Sequence, residues 1–103
     1  SAEARLDAAR LDAQAEAGAA LARISATDAR LSAAREGERT AAEAYRLTRL
    51  GYEGGKLGLA ELLVARRSLA EAQTQTLDAA LERLSAQAAL ARLQGRAPFG
   101  DQP

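Results

Sequence analysis

The sequence predicts an all-α chain, a long antiparallel helical hairpin with a coiled-coil-like seam. Three observations carry this. Alanine and leucine are the commonest residues, and no proline occurs from Ala2 to Tyr52. Apolar or small residues recur at steps of three, four and seven, the spacing of one face of a packed helix. A single glycine-rich break, Tyr52-Glu53-Gly54-Gly55-Lys56-Leu57-Gly58, interrupts the pattern. Glycine permits positive φ and carries a large helix penalty, so three glycines within five residues mark a turn.

The first helix is expected over about residues 2–52. Its stripe runs Leu6, Ala9, Ala13, Ala17, Ala20, Ile24, Leu31, Ala34, Ala41, Tyr45, Thr48 and Tyr52, with Asp28 and Glu38 as interruptions. A second, partial stripe holds Leu11, Leu21, Leu47 and Leu50. At 1.5 Å per residue such a helix runs on the order of 75 Å, longer than globular helices and suited to an elongated assembly. Gly18, Gly37 and Gly51 read either as weak points costing about 1 kcal/mol each or as places of close helix approach.

The turn is expected at about 53–58 and the second helix at about 59–94. Gly58-Leu59-Ala60-Glu61 has the spacing of a capping box with glycine at the N-cap, and Glu61 suits the positive end of the helix dipole. Two adjacent heptad rows follow: Leu62, Leu69, Thr76, Arg83, Leu90, and Leu63, Ala70, Leu77, Leu84, Ala91. A doubled seam suits a helix with neighbours on two sides, as in a closed ring of helices. Gly95 reads as the helix stop, which closes the hairpin at residues 1–95. Pro98 bars continuation, so Arg96 to Pro103 is expected to be an irregular tail. The first helix is the longer, so part of it should overhang. The chain opens without Met inside a running helical pattern, and reads as a piece of a longer protein.

Composition removes several classes of chemistry. The 103 residues contain no Cys and no His, which excludes thiol or imidazole catalysis and zinc sites built on either. No cofactor and no metal site is expected. Basic and acidic residues number 14 each and are interleaved, so no phosphate-binding basic block exists and no nucleic-acid partner is expected. Gly54-Gly55-Lys56 lacks the upstream glycine and the following Ser or Thr of a phosphate-binding loop. With one Phe, two Tyr and no Trp or Met, two helices cannot bury a thick core alone, so self-association is expected.

The tip is the most specific part of the sequence. Tyr52-x-x-Gly55-x-x-Gly58-x-x-Glu61-Leu62-Leu63-x-Ala65, followed by Leu69 and Ala72, resembles the second-repeat hairpin of the TolC-like outer-membrane efflux channel family. Gly54 to Leu63 with Ala65-Arg66-Arg67 is most similar to its heavy-metal, cobalt–zinc–cadmium type branch, and Leu90 to Gly95 resembles the hairpin's ending. The resemblance implies a non-enzymatic duct in the outer membrane of a Gram-negative bacterium. It implies a homotrimer with a periplasmic α-barrel, whose hairpin tips dock an adaptor (membrane fusion) protein. It places Gly54, Gly55, Lys56, Leu57 and Gly58 at the adaptor-docking tip. Tyr52 and Glu61 become channel-entrance candidates, Tyr52 as a gate residue and Glu61 as one member of a carboxylate ring. The residues alone offer another reading for each: an aromatic plug for Tyr52 and a helix N-terminal charge for Glu61. Two positions depart from the family pattern, Gly58 for a serine and Val64 for a second acid. An adaptor's own α-hairpin and a general coiled-coil module are the alternative readings. The first lacks its Arg-x-x-Leu tip pattern here, and the second gives no reason for the tip spacing.

Overall fold

The computed structural model describes residues 1–96 and is all-α. Two helices make up the fold, α1 (Ala2–Glu53) and α2 (Leu59–Arg96). α2 runs through Gly95 to Arg96 and does not stop at the glycine as the sequence suggests. The reason is conformational. A glycine ends a helix when it turns left-handed, and among the described residues only Gly55 has positive φ. The irregular tail expected from Arg96 lies, from residue 97 on, outside the described residues.

Two compact units can be described separately. One is Ala29–Leu81, the hairpin with its turn; the other pairs Ser1–Asp28 with residues 82–96.

In the Ala29–Leu81 unit the helices pack antiparallel through small residues. Leu31 and Ala79 are buried, and Ala34, Ala41, Tyr45, Thr48, Leu62, Ala65, Leu69, Ala72 and Thr76 are half-buried. Thr76 breaks its heptad row in the sequence, yet its hydroxyl lies 3.2 Å from the Ala34 carbonyl across the hairpin and 3.1 Å from that of Ala72. Either carbonyl can accept its single proton, so a polar side chain on the inner face is satisfied.

In the other unit Ala86 and Thr27 are buried, flanked by half-buried Ala20, Ile24 and Arg83. The Thr27 hydroxyl donates to the Ile24 carbonyl at 2.8 Å, which removes the cost of burying it. Arg83 pairs with Asp28 across the two helices, and the Arg23 guanidinium donates to Ser85 Oγ at 3.3 Å. Residues 1–16 are exposed along their whole length, the expected overhang of α1.

The burial pattern corrects two details of the predicted stripes. On α1 the row passes through Thr27 in place of Asp28 and ends at half-buried Gly51, while Tyr52 is 40% exposed. Leu6, Ala9 and Ala13 belong to the exposed overhang. On α2 the row Leu62, Leu69, Thr76, Arg83, Leu90 is half-buried throughout, whereas Leu63, Ala70, Leu77, Leu84 and Ala91 are all exposed. The residues that complete the inner face are Ala65, Ala72, Ala79 and Ala86, an alanine at every seventh position.

Candidate functional site

The tip is built from the end of α1, five turn residues and the first turn of α2. α1 ends in a double backbone cap. The Lys56 amide donates to the Gly51 carbonyl at 2.8 Å and the Gly55 amide to the Tyr52 carbonyl at 3.0 Å. These are the two reciprocal bonds of a Schellman motif, with Gly55 as the left-handed residue at φ 74°. An L side chain there would be strained although open space surrounds it. The Leu57 amide adds a second bond to the Gly51 carbonyl at 3.1 Å, and Gly54 continues the helical ladder to Leu50 at 2.9 Å.

The start of α2 is closed from the other side. Glu61 Oε2 accepts the Gly58 amide at 2.9 Å, the half of a capping box that the spacing predicts. Glycine has no hydroxyl to supply the reciprocal bond to the Glu61 amide. The helix-start reading of Glu61 is therefore a feature of the structure. Leu62 begins the α2 ladder by donating to the Gly58 carbonyl at 3.3 Å.

Gly54, Gly55, Lys56, Leu57 and Gly58 are all exposed, and so are Tyr52 and Glu61. The structure thus brings the seven predicted residues into one short segment. Its surface is a bare glycine backbone flanked by the Lys56 cation and an apolar Leu57 that is 40% exposed. No group of three or more acidic, His or Cys side chains capable of holding a metal occurs among the described residues.

Sequence reasoning missed the part played by Gly51. A Cβ built on it would lie 2.6 Å from Leu57 Cδ1 and 2.9 Å from Cγ, so Leu57 is seated on the bare face of this glycine. The neighbour at Gly51 is a side chain of the turn and not a second helix. At Gly18 and Gly37 nothing lies within 4 Å, leaving these two as weak points in α1.

Below the tip, Arg46 holds Glu43 through two hydrogen bonds, Nε to Oε2 at 3.0 Å and Nη2 to Oε1 at 2.7 Å. These bonds lower the Glu43 pKa from its ordinary value and raise that of Arg46. Glu36 and Arg39 pair in the same i,i+3 spacing. Such exposed pairs decorate a solvated face.

The sequence profile of a family described as outer membrane efflux protein matches residues 1–96. The chain belongs to the outer membrane efflux protein family. Members of this family are outer-membrane efflux ducts of tripartite systems, not enzymes, and form trimeric channels that work with adaptor proteins. No curated protein and no solved structure shows significant similarity to the chain. Neither helix is long and apolar enough to cross a membrane.

Proposed function

We propose that this chain is the C-terminal helical hairpin of such a duct, standing in the periplasm as part of the wall of its α-barrel. The duct passes heavy-metal cations in the cobalt–zinc–cadmium class, and the hairpin docks an adaptor protein through Gly54, Gly55, Lys56, Leu57 and Gly58. The chain itself performs no catalysis.

One observation carries the reading: of the two leucine-bearing heptad rows of α2, only one turns inward beside the alanine row. The second, Leu63, Ala70, Leu77, Leu84 and Ala91, is exposed although it is as regular as the first. A periodic apolar row costs solubility unless another helix covers it, and the wall of a helical ring supplies that neighbour. Tyr52 and Glu61 stand at the entrance in this arrangement. Three copies of Glu61 around an axis would concentrate cations at the mouth. A carboxylate has about four lone-pair sites, so capping Gly58 does not use up its capacity. The cation class rests on the resemblance of Gly54 to Arg67 to that branch.

The test is made in the full-length duct. Gly55→Trp should abolish efflux while trimers still form, and resistance should be lost for cobalt, zinc and cadmium salts in particular. Unchanged resistance with this variant counts against tip docking. Loss of resistance to organic compounds alone removes the heavy-metal assignment and leaves the duct.

A further inference from the structure

We propose that Gly51, outside the turn itself, is the positioning residue of the tip, and that it acts through Leu57. This deepens the docking role proposed above and rests on it. Two independent contacts converge on Gly51. Its carbonyl accepts both the Lys56 and the Leu57 amides, at 2.8 and 3.1 Å, which fixes the path of the turn. Its missing side chain leaves the space that Leu57 occupies, and a Cβ there would overlap Cδ1 and Cγ at 2.6 and 2.9 Å. Leu57 Cβ would keep an ordinary contact at 3.6 Å, so a methyl at residue 51 forces the branch beyond Cβ to turn away.

The consequence is a defined apolar knob. Leu57 is held by its amide and lies against the face of Gly51, and it remains 40% exposed. Pre-ordering a contact side chain removes an entropy cost from binding. The matching surface on the adaptor hairpin is an apolar socket that takes one leucine end-on, beside the backbone of Gly54 and Gly55. Lys56 supplies only a peripheral charge.

Gly51→Ala separates positioning from stability, because alanine is the better helix former. The experiment uses Gly51→Ala, Leu57→Ala and the double variant of the full-length duct. It measures binding to the purified periplasmic adaptor protein of the same organism, thermal melting, and the NMR cross-relaxation between Leu57 methyls and Gly51 Hα in the wild type. Each single variant should weaken adaptor binding by about tenfold. The double variant should bind within about twofold of Leu57→Ala alone, since Gly51 then has nothing to seat. It should also melt higher than Leu57→Ala, because alanine at residue 51 then adds helix propensity with no clash; the binding of the double variant is what a merely structural role for Gly51 does not give. Absence of the methyl-to-Hα contact, wild-type binding by Gly51→Ala, or losses that multiply in the double variant would overturn the inference alone. A wild-type duct that shows the contact but does not bind the adaptor overturns the docking role and this inference together.

Discussion

Arg83 on α2 reaches across to Asp28 on α1, so two charges that interrupt the sequence pattern answer each other in space. Each is misplaced when its own helix is read alone. Together they form a partly exposed pair, with side chains 40% and 49% accessible. Thr76 resolves its own interruption in the same way, through the Ala34 carbonyl. Neither arrangement adds much energy; both settle which residues face each other.

The Asp28–Arg83 pair should show a coupling of about 0.5–1 kcal/mol in a double-mutant cycle with alanine, because solvent screens a pair this exposed. Urea unfolding measures it. The coupling should shrink in concentrated salt.

Ala79 is 2% exposed on the inner face, while Leu77 is 59% exposed. Ala79→Leu should cost about 1–3 kcal/mol through overpacking despite its added hydrophobicity. Leu77→Ala should change the stability of the dilute chain by less than about 0.5 kcal/mol. At high protein concentration, sedimentation should show Leu77→Ala weakening self-association. Equal effects of the two substitutions would contradict the assignment of inner and outer rows.

Gly55 and Gly37 should respond in opposite directions to alanine. Gly55→Ala places an L residue at φ 74° and should lower stability by about 1–2 kcal/mol. Gly37 is helical with open space around it, so Gly37→Ala should raise stability by roughly 0.5–1 kcal/mol. Thermal melts of the two variants check the signs.

Glu61→Gln should keep most of the cap, because the amide oxygen can still accept the Gly58 N–H, whereas Glu61→Ala should cost about 0.5–1 kcal/mol. In the full-length duct the glutamine variant should still reduce cation passage if Glu61 also forms a charged ring. Conductance and melting temperature measured on the same variants separate the two roles.

Glu43 should titrate below the ordinary glutamate range in a carbon-detected NMR titration, its hydrogen bonds from Arg46 being the main cause. Since its folded pKa is depressed, the pair's contribution is present above the unfolded value and is lost as pH falls through the folded one. Arg46→Gln should return Glu43 toward its ordinary value.

Much of this protein is legible in one dimension. Alanine richness, the missing proline and heptad spacing are local properties of a helix, and three glycines in a short span are a local veto on continuing it. The capping contact of Glu61 to Gly58 is local too, since both residues lie within one turn. The role of Gly51 was less visible. Its partner Leu57 is six residues away along the chain but folds back through a left-handed turn, and spacing rules for helices do not describe that path.

The sequence by itself determined two helices, their hinge and the residues at the tip, because backbone preference and apolar period act within a few residues of each position. Only the tertiary structure decided which rows meet. In a chain this rich in alanine several faces look alike to a periodicity argument. The inward turn of the Leu62, Leu69, Thr76, Arg83 and Leu90 row goes with what stands opposite: the Ala34 carbonyl meets Thr76 and Asp28 meets Arg83. Close packing between two surfaces selects among equivalent patterns on one, and that selection lies in the contacts between helices, outside either helix alone.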